Sequence, residues 1–188
     1  MNHLILVMSR NRRAASASLA LALMALQFAA LRWSPDDVPV RVMLPLTIAL
    51  VPVALWPLRD YAGIWVMFVG LAANLAVILA NGGLMPIERA TVVAAVGEER
   101  AAEYAAGEWI RGSKDVLVKD GEGRALALAD SIIVRAGGGG FAASPGDLVV
   151  WCGLLVLVAE ASWRWQRSRR PLPAAGVRGA GGGAPTPR

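Results

Sequence analysis

The stretch LAVILANGGLMPIERA, Leu75–Ala90, decides how this chain is organised. A long apolar run reaches Asn81 and then meets two glycines, a methionine and a proline. Asn81 suits a helix end, and Gly82 and Gly83 can take positive φ without a side-chain clash. Pro86 cannot continue a helix but suits the first turn of a new one. The stretch therefore reads as a chain reversal at a membrane surface. One helix ends, Met85 plugs the turn, and a short interfacial helix runs from Pro86 to Val96.

Working outward, the run before Asn81 is one of four apolar segments: Ala14–Leu31, Val38–Leu58, Ala62–Ala80 and Gly146–Trp163. Each has roughly 18–21 residues, about 27–31 Å as a helix, which matches a hydrocarbon core of about 30 Å. Backbone polar groups in lipid must be satisfied within the segment, so these are helices. Trp33, Trp56, Trp65, Trp151, Trp163 and Trp165 fall near segment ends, where an indole prefers the headgroup layer; only Trp109 lies elsewhere. The fold class expected is an all-α membrane protein of four transmembrane helices, with a small extracytoplasmic α+β segment, residues 81–145, between helices three and four.

Composition agrees. Hydrophobic residues make up 56% of the 188 and charged residues only 18%, below the roughly 25% of soluble domains. The net charge of +5 does not indicate nucleic acid, because the basic residues gather beside the apolar runs and no nucleic-acid module is visible. One cysteine, Cys152, and one histidine, His3, leave no intrachain disulfide, no zinc set and no histidine-based triad. No cofactor or metal is expected.

Arg10, Arg12 and Arg13 precede the first segment, and Arg164, Arg167, Arg169 and Arg170 follow the fourth. The positive-inside rule puts both clusters in the cytoplasm, with residues 1–13 as a basic N-terminus, and an even number of spans allows it. The second cluster is also a candidate contact for anionic lipid. The tail Pro171–Arg188, rich in glycine, proline and alanine, reads as disordered. A signal peptide is the competing reading of the first segment, but roughly 18 apolar residues exceed the usual 7–15.

Small residues four apart, Ala14/Ser18/Ala22 and Ala72/Ala76/Ala80, are candidates for close helix contact. Pro45 and Pro52 should bend the second span. Asn74 is the best candidate for an interhelical hydrogen bond, and Glu160 can pair with Arg164 one turn on. In the external segment, VLVKDGEGRALAL reads as two strands turning at Asp120–Gly121, followed later by a four-glycine linker. Ser144, Pro145, Gly146 and Asp147 resemble a capping box opening the last span.

ANGGLMPI, LALADSI and ASPGDLVVWCG together resemble an uncharacterised family of small bacterial multi-pass membrane proteins, known only as a domain of unknown function. The shared features match Asn81, Gly82, Gly83, Met85 and Pro86, then Asp130, then Ser144, Gly146 and Asp147, with Gln27 closing the first span. Two departures stand out. Family members begin with a further apolar helix, of which MNHLILVM would be a remnant, and Ala129 stands where glycine is usual.

The resemblance implies an architecture and no activity. No nucleophile–base pair is legible, so the leading reading is a non-enzymatic component whose external segment contacts a protein partner or a second copy. The alternative is a lipid-headgroup, small-ligand or cation site where Asn81, Asp130 and Asp147 meet at the outer face. A small transporter ranks last, lacking an inverted repeat or a buried mid-membrane charge.

Overall fold

The structure is a computed structural model and describes residues 2–119, 121–136 and 139–169. Its long helices are α1 (Asn2–Trp33), α2 (Val38–Leu55, continued by a 3-10 turn Trp56–Leu58), α3 (Ala62–Ala80) and α6 (Pro145–Ser168). Each contains a stretch long and apolar enough to cross a membrane. Between α3 and α6 lie β1 (Met85–Glu88), α4 (Arg89–Val96), α5 (Glu98–Ala101), β2 (Asp115–Val118), a 3-10 turn at Leu126–Leu128, β3 (Ile132–Ala136) and β4 (Gly139–Ala143). α1 begins well before Ala14, so Arg10, Arg12 and Arg13 lie on the helix rather than on a separate terminal segment.

α3 and α6 pack antiparallel through glycines. A Cβ built on Gly70 would meet the Gly146 carbonyl oxygen at 2.5 Å, and one on Gly146 would meet the Gly70 oxygen at 2.9 Å. Seven residues along, Gly63 and Gly153 repeat the relation at 2.5 and 2.8 Å. Only hydrogen-bearing Cα atoms fit there, and Cα–H···O contacts of this kind recur at close helix–helix crossings. The alanine stripes do not serve this purpose, since Ala14, Ser18, Ala22, Ala72, Ala76 and Ala80 are all exposed on the bundle surface. α1 instead packs on α2 through Ser16, whose hydroxyl donates to the Ala54 carbonyl, and through Thr47, whose Oγ1 lies 3.2 Å from Gln27 Oε1.

α2 continues through Pro45 and Pro52. A proline at position 45 supplies no N–H to the Arg41 carbonyl, and that carbonyl faces Gly83, where any Cβ would collide with it. The reversal after α3 is a Schellman motif: Gly83 N donates to Ile78 O at 2.9 Å and Gly82 N to Leu79 O at 3.4 Å, with φ of +74° at Gly82 and +96° at Gly83.

Beyond this turn the structure departs from the sequence reading. Pro86 lies in β1 rather than opening a helix, and the helix starts only at Arg89. β1 pairs in parallel with β2, Met85 beside Asp115 through Glu88 beside Val118. Met85 and Pro86 are both fully buried in this ladder. Among the described residues of 116–128 no hairpin forms: β2 has taken β1 as its partner and Gly121 is in a turn, while Asp120 lies outside the described residues. The antiparallel pair is β3 with β4, so Gly139 and Gly140 are strand residues opposite Ala136 and Arg135 rather than part of a linker.

At the opposite end of the bundle, Arg13 pairs with Asp60 at 2.9 Å, and the Arg164 guanidinium donates to the Asp60 carbonyl and lies 4.2 Å from the Tyr61 ring centroid. Glu160 does not pair with Arg164. Its carboxylate accepts from Gly63 N at 3.1 Å, at the positive end of α3. The start of α1's apolar stretch and the end of α6 therefore share one end of the bundle, and the inter-span segment caps the other. Arg167 stacks on Trp163 and Arg169 on Trp165. Arg170 and the tail 171–188 lie outside the described residues.

Candidate ligand site at the capped end of the bundle

Two elements bring a polar cluster to the α3–α6 junction. The first is the α6 N-terminus, where Ser144 and Asp147 form a reciprocal capping box: Asp147 N donates to Ser144 Oγ at 3.0 Å, and Ser144 N donates to Asp147 Oδ2 at 3.1 Å. The second is the β1–β2 ladder, in which Met85 N donates to Lys114 O at 2.9 Å and so holds Lys114 and Asp115 above the end of α3. Asn74, one turn beyond Gly70 on α3, ties α3 to the first of these. Its Nδ2 donates to Asp147 Oδ1 at 2.7 Å, and its Oδ1 accepts from Ser144 Oγ at 2.8 Å.

The Lys114 ammonium sits between two carboxylates, 2.5 Å from Asp147 Oδ2 and 3.2 Å from Asp130 Oδ1. Asp115 follows it directly and accepts from the Ser113 hydroxyl. Asp130 is 2% exposed and Asp115 7%. Asp115 Oδ1 and both Asp130 oxygens accept no well-directed hydrogen bond from the described residues while both acids are ionised; Lys114 Nζ stands off-direction 3.2 Å from Asp130 Oδ1, and the two carboxyls are near enough to share a proton.

This arrangement sets the protonation pattern. Burial pushes the Asp130 carboxyl up to about 8, with repulsion from Asp115 adding and Lys114 opposing. Burial also raises Asp115, against the pull of Lys114 and Ser113. For Lys114, burial works against the charge, but attraction to Asp130, Asp147 and Asp115 outweighs it and the shift is upward. At neutral pH the cluster is thus a charged Lys114 with Asp130 holding a proton beside Asp115, as one of two close buried carboxyls does.

Asp115 and Asp130 border a cavity of about 530 Å³, walled by Val92, Val96 and Phe141 and also lined by Arg100 and Arg111. Cavities of roughly 300–1,000 Å³ with apolar walls and a few convergent polar groups are the usual form of small-ligand sites.

Of the residues singled out by sequence, Asp130, Ser144, Gly146 and Asp147 meet here, Gly146 because only a residue without a side chain fits against Asn74. Asn81 is not joined to them. Its Nδ2 donates to Val77 O at 2.8 Å and Arg124 O at 2.9 Å, and its Oδ1 accepts from Arg124 N at 2.9 Å. Asn81 therefore pins the 121–124 turn to the end of α3, alongside Gly82 and Gly83. Asn81→Ala should lower unfolding free energy by about 1–2 kcal/mol in detergent titrations, with the Lys114 cluster intact. Sequence reading missed Lys114 and Asp115, which look like ordinary surface charges until the ladder carries them inward.

Comparison with curated proteins and with solved structures gives no significant match. The model of a family of unknown function, DUF5317, matches residues 10–159, and this four-span membrane protein belongs to that family.

Proposed function

We propose that this is a non-enzymatic membrane binding protein whose inter-span segment receives the ammonium group of a ligand between Asp115 and Asp130. The observation that carries the reading is a buried acidic pair, Asp115 and Asp130, among the residues lining the cavity, with three carboxyl oxygens that accept no well-directed hydrogen bond from the described residues. Buried acceptors are nearly always satisfied, and each one left unmade costs about 1–3 kcal/mol. A donor-rich cation removes that penalty. Lys114 already fills the space between Asp130 and Asp147, which favours a second amine-type cation over a metal ion needing several free carboxylates.

The arginines at the α1 and α6 ends support a cytoplasmic position for both termini, and hence an outer-face position for the pocket. In this reading Arg167 and Arg169, stacked on interfacial tryptophans, face anionic lipid on the cytoplasmic side.

Calorimetric titration of the full-length protein in non-ionic micelles with n-butylammonium, a short probe, tests the pocket. Saturable binding is expected for the wild type and loss of it for the Asp115→Asn, Asp130→Asn double variant. Equal binding by both proteins would sink the proposal.

A further inference from the structure

α6 begins well short of the end of its neighbour α3, and that offset sets where the inter-span segment sits. Asn74 bonds both Ser144 and Asp147, so the first turn of α6 is level with Asn74. α3 continues for six more residues, to Ala80, about 9 Å at 1.5 Å per residue. Trp151 lies six residues into α6 from Pro145, about 9 Å farther toward the bilayer centre.

The other flanks of the bundle show how high the lipid reaches. Leu79, at the end of α3, is 60% exposed. On α2, Arg41 donates to Gly82 O, and Val42 beside it is 63% exposed. Large apolar side chains this bare on membrane spans belong in hydrocarbon. On the α6 flank, the space at that height is taken by β4 and α4. β4 runs directly into the cap at Ser144, and Gly140 packs on α4, where a Cβ would stand 2.8 Å from the Ala95 carbonyl oxygen. From this strand Phe141, 48% exposed, meets the exposed Trp151 edge-to-face with ring centroids 6.3 Å apart.

We infer that the β4 end of the inter-span segment is seated in the leaflet on the capped side, with Phe141 and Trp151 in contact with lipid. The Trp151 ring leans toward the α6 N-terminus, as helix side chains do, and the pair still lies nearer the bilayer centre than Leu79. A bilayer that covers Leu79 therefore covers both rings. Aromatic rings suit the depth just below the headgroups. Arg135, exposed and opposite Gly140 on β3, has a stem long enough to carry its charge to the phosphate layer. This surface uses neither Asp115 nor Asp130 and stands apart from the proposed ligand site.

The test places a nitroxide at position 141 by Phe141→Cys in a Cys152→Ser background, since Cys152 is exposed. The full chain is reconstituted in phosphatidylcholine vesicles. Labels introduced by Leu155→Cys on the exposed face of α6 and by Glu122→Cys in the turn that Asn81 pins are the lipid and water references. Power saturation compares collisions with oxygen, which concentrates in hydrocarbon, and with a neutral nickel chelate, which stays in water. The oxygen-to-nickel ratio at 141 should resemble that at 155 and exceed that at 122 by about tenfold, equivalent to about 1.4 kcal/mol between the two surroundings. Nickel access at 141 equal to that at 122 would put the strand in water and overturn the inference. Exclusion of both reagents would overturn it too, because protein, such as a second copy of the chain, would then cover the ring. Phe141→Trp, which keeps an aromatic ring, gives a second reading free of the label. Phosphatidylcholine brominated along its acyl chains should quench the added emission, and an unquenched tryptophan there would count against the inference.

Discussion

Gly70→Leu will part α3 from α6 and remove roughly 3–5 kcal/mol of stability, above the usual overpacking loss, because the obstruction is backbone on both sides. Even the first carbon of a side chain at Gly70 would lie 2.5 Å from the Gly146 oxygen and 2.8 Å from Val150 N. Neither atom can move without displacing the helix that carries it. A leucine adds three further carbons to that space. Gly70→Ala should act in the same direction at about 1–3 kcal/mol. Ala72→Leu, on an exposed face of the same helix, should change stability by no more than about 0.5 kcal/mol. Unfolding titrations in mixed micelles, followed by tryptophan fluorescence, give the comparison. If Gly70→Leu and Ala72→Leu unfold together, the reciprocal glycine contact does not hold these helices.

The same substitution should reach the polar cluster. Asn74 stands one turn from Gly70, and Asp147 follows Gly146, so separating the helices lengthens the 2.7 Å bond between Asn74 and Asp147. Lys114 then loses the fixed carboxylate that orients it. Helix packing and site geometry are coupled through one pair of neighbouring residues on each helix.

How far the fold could be read from sequence depends on the range of the forces involved. The spans were legible because lipid imposes both a length and an apolar composition on every spanning segment. The turn at Asn81–Gly83 and the cap at Ser144–Asp147 were legible because their hydrogen bonds close within a few residues. Gly63, Gly70, Gly146 and Gly153 were not recognised as an interface. Their meaning depends on which two helices pair, and single glycines among alanines and valines carry no local sign of it. Pro86 misled for a related reason: proline fits a helix start and a short strand equally well locally, and the partner strand that decides the matter is at Val116.

The site was half legible. Asp130 and Asp147 stood out as acids at the edges of apolar or turn segments, and they do approach one Lys114. Asn81 resembled Asn74 in chemistry, but its position at the helix end commits it to the backbone of Arg124. Lys114 and Asp115 owe their burial to a parallel ladder between strands about 30 residues apart in the chain, a separation over which no local pattern operates.

Asp130→Asn should make the protein more stable at alkaline pH, although it removes a group proposed to bind ligand. In the unfolded chain this carboxyl titrates near 3.8, and in the folded protein near 8. Between those values the native state keeps a proton that the unfolded state has released, so stability falls as pH rises from about 4 to about 8 and levels off above. Across that window the wild type loses on the order of 3–5 kcal/mol, at about 1.4 kcal/mol per pH unit and with allowance for relaxation around the charge. Asp115, also raised, tilts the profile the same way. An asparagine cannot titrate, so the variant should lack the Asp130 share of this decline. It forfeits the approach to Lys114, but Lys114 keeps Asp147 at 2.5 Å. The stability difference, variant minus wild type, should therefore be more positive at about pH 8.5 than at about pH 4.5, by on the order of 3 kcal/mol. Chemical unfolding at the two pH values measures it, and a difference that stays constant would mean Asp130 is ionised throughout. Retaining an acid that weakens the fold at neutral and alkaline pH makes physical sense if a bound cation offsets the penalty, since a ligand that binds only the native state stabilises it in proportion to its occupancy. Added n-butylammonium should accordingly raise wild-type stability more at about pH 8.5 than at about pH 6, because cation binding is linked to loss of the Asp130 proton. The Asp130→Asn protein should show neither the gain nor its pH dependence.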